Sequence, residues 1–128
     1  MEKLEIKGTD RTPEVTFDFA ANHLKISGES YPEDVTAFYS PVMDALDTYL
    51  AGVGDGPCRF EFSLIYFNSS SAKAIMTLME KLDEAAEDGA SIDVYWYYDE
   101  EDDTMEELGE EFGEDLEHAQ FHLEKMTG

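Results

Sequence analysis

Residues 59–67 constrain this chain more than any other stretch. Phe60, Phe62, Leu64 and Tyr66 fall on one side of an extended segment, while Ile65 and Phe67 make its other side apolar near the end. That is the pattern of a central strand covered on both faces. With no room for a long loop, Ala72, Ile75, Met76, Met79, Leu82 and Ala86 then repeat at helical spacing until Gly89 supplies a stop. Residues 92–98 return to strand character. A buried strand that passes through a helix into another strand demands a crossover, so part of the sheet must be parallel.

The remaining segments fit around this unit. Apolar and polar residues alternate over 14–19 and again over 23–27, with Ala20, Ala21 and Asn22 between them, which predicts a hairpin. Leu4 and Ile6 add a short strand before it, Gly28 ends the strand run, and Ser30, Tyr31, Pro32 and Glu33 form a loop. Val35, Phe38, Val42, Leu46, Tyr49 and Leu50 keep helical spacing across Pro41. Because Ser40 and Pro41 also suit a cap and first turn, one kinked helix and a turn followed by a helix both fit. Residues 52–57 are a loop, Met105, Leu108, Phe112 and Leu116 trace a third helical stripe, and residues 121–125 suit a short final strand. The expected fold is α/β, a single domain over residues 1–128 with a mixed β-sheet flanked by about three helices.

Charge narrows the partners. Eight basic residues stand against 31 acidic ones, a net charge of −23, so the surface repels phosphate backbones and anionic headgroups. Neither nucleic acid nor membrane insertion is expected. A salt-rich habitat would favour the same acidity with no partner at all. The N-terminus lacks a basic segment followed by an apolar run, and no stretch approaches membrane-spanning length, which points to a cytoplasmic protein.

Chemistry of other kinds lacks its parts. Cys58 is the single cysteine, offers neither a redox pair nor a metal cluster, and is assigned to packing. His23 has no evident partner for base catalysis, and His118 and His122 stand four apart without a third ligand. No glycine-rich nucleophile elbow surrounds the serines and no glycine-lysine phosphate loop exists. No catalytic residue, metal or cofactor is therefore expected.

The acidic run from Asp99 onward supports a competing reading. Asp99, Glu101, Asp103 and Glu110 fall at the spacing of several calcium-loop ligands, but Thr104 occupies the place of the central glycine. The alternative to a regulatory function is thus an acidic cation-binding or solubility-adapted protein, and the plainer account of the run is a helix start. Glu106, Glu107, Glu110, Glu111, Glu114 and Asp115 face away from the third apolar stripe. Gly109 and Gly113 weaken that helix by about 1 kcal/mol each relative to alanine, which implies local mobility or the close approach of another backbone. Tyr95, Trp96, Tyr97 and Tyr98 put aromatics on both faces of one strand; most are assigned to the core, with one alternate set available as a docking surface.

The junction Tyr66-Phe67-Asn68-Ser69-Ser70-Ser71-Ala72-Lys73 is the most informative candidate site. Spacing alone makes its asparagine and serines a plain N-cap. Placement adds a second reading, because strand ends and helix starts form a surface rim and a helix N-terminus offers free amides to an anion. A phosphoryl group there would add charge and block a partner docking on the rim.

At these residues the chain resembles the SiaC-type biofilm-regulation phosphoproteins, whose domain is related in fold to SpoIIAA-like anti-sigma-factor antagonists of the STAS group. The marks are Gly28-Glu29-Ser30-Tyr31-Pro32-Glu33, the junction itself, Trp96-Tyr97-Tyr98-Asp99, and Glu107-Leu108-Gly109-Glu110-Glu111-Phe112, in the family's order. The resemblance implies that the hydroxyl residue after the motif asparagine, Ser69, is the phosphate acceptor, with Asn68, Ser70, Ser71 and Lys73 around it. Several relatives carry threonine there; serine keeps the hydroxyl and leaves Ser70 and Ser71 as competing acceptors. It further implies a partner switch: a GHKL-type protein kinase phosphorylates the domain, a PP2C-type phosphatase reverses this, and the unmodified form binds and activates a diguanylate cyclase. Cyclic di-GMP output and biofilm formation would then be controlled by a protein that catalyses nothing itself.

Overall fold

The computed structural model describes residues 3–126. In chain order the elements are β1 (Leu4–Ile6), β2 (Glu14–Asp18), β3 (His23–Ser30), α1 (Val35–Ala51), β4 (Cys58–Phe67), α2 (Ser69–Glu87), β5 (Ile92–Asp99), α3 (Asp103–Glu114) and β6 (Gln120–Met126). The strands form one six-stranded sheet in sequential order. β1, β2 and β3 pair antiparallel, and β3 to β6 pair parallel. The expected mixed sheet with three helices is what these residues form.

Strand order also decides where the helices go. Right-handed crossovers that step the same way along a sheet put every helix on one face. Val15, Phe17, Leu24, Ile26, Phe60, Phe62, Val94 and Trp96 accordingly share one core with Val42 and Leu46 of α1, Ile75 and Leu82 of α2 and Phe112 of α3. The central strand is therefore not covered on both faces. The outer face is a polar and aromatic layer in which Arg59 lies 3.9 Å over the Tyr95 ring, and Tyr95 stacks on Tyr97 and on His122. Trp96 and Tyr98 belong to the core, while Tyr95 and Tyr97 form the alternate, half-buried set.

A bulge explains the apolar run at the end of β4. Gly28 pairs with Leu64 but Glu29 pairs with Tyr66, so Ile65 is the extra residue. One inserted residue reverses the alternation. Tyr66 leaves the core face and stands 51% exposed, Ile65 is 65% exposed, and Phe67 turns inward against Trp96 and Phe112. Gly28, with φ of 105°, bends the strand here rather than ending it, and pairing continues to Ser30.

Pro41 lies inside a single α1 helix. Asp34 caps that helix by accepting from the Ala37 amide at 3.0 Å. Pro41 sits on the exposed side beyond Ala37, whose carbonyl loses its partner amide but faces water.

The α3 glycines are explained by close approach, of side chains rather than backbone. A Cβ on Gly109 would overlap the Trp96 indole and come within 2.8 Å of Leu123 Cδ1, and one on Gly113 would overlap the Phe121 ring. Their i,i+4 spacing lets α3 lie directly on β5 and β6. Gly109→Ala is expected to destabilise the fold by about 1–3 kcal/mol through overpacking, despite alanine's better helix propensity. Urea unfolding checks this; a stabilised variant would contradict it.

Candidate functional site

The junction between β4 and α2 is built by three neighbouring residues with different tasks. Asn68 is the N-cap: its side chain accepts from the Ser71 amide at 2.9 Å and its carbonyl accepts from the Ala72 amide at 2.9 Å. The amides of Ser69 and Ser70 stay at the open first turn, where the positive end of the helix dipole lies. The cap assignment and the rim placement thus hold together.

Burial separates the serines. Ser69 and Ser70 are exposed, as is Lys73 one turn on. Ser71 is fully buried, and its hydroxyl accepts from Ser30 Oγ at 2.9 Å. Tyr39 lies 2.6 Å from Ser30 Oγ and, since the Ser30 proton points to Ser71, donates to it. Burial pushes the Tyr39 hydroxyl above its ordinary range, outweighing the Ser30 bond, so it remains a proton donor. This relay fastens the first turn of α2 to the end of β3 and to α1. Ser71 is an anchor, shut away from any enzyme.

Around the exposed serines the surface is neither flat nor uniformly polar. Tyr66 packs edge-on against Tyr31, and with Ile65 forms an exposed apolar patch beside Asn68. On the other side opens a groove of about 390 Å³ between α1 and α2, lined by Tyr39, Met43, Ser70, Lys73, Ala74 and Thr77 among others. Composition alone did not reveal the patch, because the bulge that exposes Tyr66 arises from pairing with β3. A glycine inside a strand pattern, Gly28, is the signal that could have found it.

The other candidates resolve differently. Asp102 caps α3 by accepting from Met105 N at 3.0 Å, and Asp99 Oδ1 accepts from Glu101 N at 2.9 Å. Asp103 and Glu110 belong to the helix itself. Among the described residues no three metal-ligating side chains converge, so the calcium-loop spacing has no matching geometry. His118 lies in the loop after α3 and His122 on β6, where it bonds Asp93 at 2.9 Å across the outer face.

His23 does have a carboxylate partner, 38 residues away in β4. Glu61, itself buried, bonds His23 and lies 3.6 Å from Arg59. Burial pushes the Glu61 carboxyl up, but bonds from His23 and Tyr97 and the Arg59 charge together hold it below the usual range. Hairpin pairing hid this neighbour, since β3 meets β4 only across the crossover. Burial also pushes the Cys58 thiol up to about 11, which leaves a packing residue rather than a nucleophile. Among the described residues, no helix is long and apolar enough to cross a membrane.

Comparison with known proteins bears on this geometry as a whole. The family model for SiaC family regulatory phosphoproteins matches residues 6–126. An uncharacterised protein of Pseudomonas aeruginosa strain UCBPP-PA14 is 37% identical over 115 residues, covering 90% of each chain. The solved structure of SiaC of Pseudomonas aeruginosa superimposes with a TM-score of 0.90 at 35% identity, covering 98% of this chain and 100% of that one. A crystal structure of the diguanylate cyclase SiaD in complex with its activator SiaC, from the same organism, matches with a TM-score of 0.91 at 35% identity, over 96% of this chain and 99% of that one. Sequence and topology thus agree across almost the whole chain, which belongs to the SiaC family of regulatory phosphoproteins.

Proposed function

We propose that this chain is the switched component of a cytoplasmic partner switch, in which the unphosphorylated protein binds and activates a diguanylate cyclase and phosphorylation of Ser69 releases it. A GHKL-type kinase adds the phosphate and a PP2C-type phosphatase removes it. The observation that carries this reading is the position of Ser69: exposed on the first turn of α2, between the Ile65 and Tyr66 patch and the groove beside Ser70 and Lys73. The relative crystallised with a cyclase as its activator supports the choice of target.

The physical logic is local. Unmodified, the rim offers apolar surface and free amides to a partner. A phosphate on Ser69 brings between one and two negative charges, which the helix dipole and the Lys73 ammonium one turn away can stabilise. The same group would then occupy the rim and repel carboxylates of anything docking there. In this switch catalysis, nucleotide and magnesium all belong to the partners.

The acceptor can be tested directly. Protein purified from its native cell is expected to contain a fraction carrying one phosphate by intact mass, with fragmentation placing it on Ser69. Ser69→Ala is expected to abolish that species, whereas Ser71→Ala keeps it and instead lowers stability by about 1–3 kcal/mol, since the Ser30 hydroxyl loses a buried partner. A phosphate mapped to Ser71, or retained in Ser69→Ala, would sink the assignment.

A further inference from the structure

A second groove lies on the other flank of α2. It encloses about 230 Å³ between α2 and α3, and shares no lining residue with the groove beside Ser70. Its apolar lining is Met76, Met79, Phe112 and Leu116. Met76, which the helical stripe would have placed in the core, is 41% exposed here. Every charged residue lining the groove is an acid, with Glu80, Glu84 and Asp115 exposed around it.

One further acid, Asp83, is already committed. Its carboxylate accepts from the amides of Glu117, His118 and Ala119 at 2.8–3.3 Å. Burial pushes its carboxyl up, but those three amides outweigh burial and hold it below the usual range. Asp83 therefore stays charged while fixing the segment that follows α3, so the groove keeps its shape and its negative wall.

From this geometry we infer that the α2/α3 groove is a docking site for an amphipathic helix of a partner protein, with apolar residues on one side and lysine or arginine flanking them. Two neighbouring helices on one face of a sheet leave a trough that accepts the apolar stripe of a third. Methionine adapts its shape to such a stripe at small cost. The carboxylates select basic flanks and reject acidic ones. This site stands on the groove alone and does not depend on the switch at Ser69.

The test uses the unphosphorylated full chain and a synthetic leucine-lysine amphipathic peptide of about four helical turns. With methionine methyl groups labelled for NMR, peptide addition is expected to shift Met76 and Met79 and to leave Met43, in the other groove, unmoved. Glu80→Lys with Glu84→Lys is expected to weaken peptide binding by at least about tenfold. Glu107→Lys with Glu111→Lys, exposed on α3 and equal in charge change, is expected to alter it by no more than about twofold. Absence of binding, a shift at Met43 without Met76 and Met79, or equal weakening by both charge reversals would overturn the inference, the last by showing diffuse attraction to an acidic protein.

Discussion

Phosphorylation of Ser69 is expected to weaken binding to the cyclase by on the order of ten- to a hundredfold and to remove its activation, because a loss of about 1.4 kcal/mol at the rim already makes a factor of ten. On the proposed reading the penalty would come from placing a group with between one and two negative charges beside the surface, Ile65, Tyr66 and the α1/α2 groove, that the partner would cover. Ser69→Ala should bind and activate constitutively, since Asn68 and not Ser69 supplies the cap and the helix start survives the change. Ser69→Asp should weaken binding less than the phosphate does, carrying a smaller charge on a shorter arm. Calorimetry with the cyclase, together with cyclic di-GMP synthesis, measures both effects. Equal affinity of the Ala and Asp variants, with phosphorylated protein binding as well as either, would end the switch reading at this residue.

Trp96→Ala is expected to cost about 3–5 kcal/mol, a large part of the stability of a domain this size. The indole is 1% exposed and packs among Phe62, Phe67 and Phe112. Its N–H also donates to the Met105 carbonyl at 3.0 Å, joining β5 to the first turn of α3. Truncation leaves a cavity and removes the β5 to α3 hydrogen bond together, so the loss should exceed that of Gly109→Ala, which crowds the same ring. Chemical denaturation would show it as a lower midpoint at unchanged slope. A cost below that of Gly109→Ala would contradict tight packing of α3 on the indole.

α2 is held at its start by the Ser71, Ser30 and Tyr39 relay, in its middle by the Lys81 to Asp47 ion pair at 2.8 Å, and near its end by Asp83 on the segment after α3. A helix tied at three points presents two fixed grooves rather than a flexible surface. In this arrangement the proposed phosphate at its first turn is expected to act on what docks, not on whether the helix forms.

How much of this was legible beforehand follows from the range of the forces involved. Local periodicity set the strand and helix order, the hairpin, the cap residues at the β4/α2 junction and the acidic start of α3, since each depends on neighbours within a turn or a pleat. Family resemblance singled out Ser69. What escaped depends on residues far apart in the chain. The bulge at Ile65 needed β3 beside β4, and with it came the exposure of Tyr66 and the inward turn of Phe67. The pairing of His23 with Glu61, the burial of Ser71 and the reason for Gly109 likewise needed elements brought together from opposite parts of the chain.

The amino-acid sequence by itself determined that a helix would begin beside three serines at the end of a buried strand, because capping and side-chain period are written in adjacent residues. Only the tertiary structure decided which serines face solvent, which is locked to Ser30, and that the three helices share one face of the sheet. Exposure is a property of what packs against a residue, and here those neighbours arrive from elsewhere in the chain.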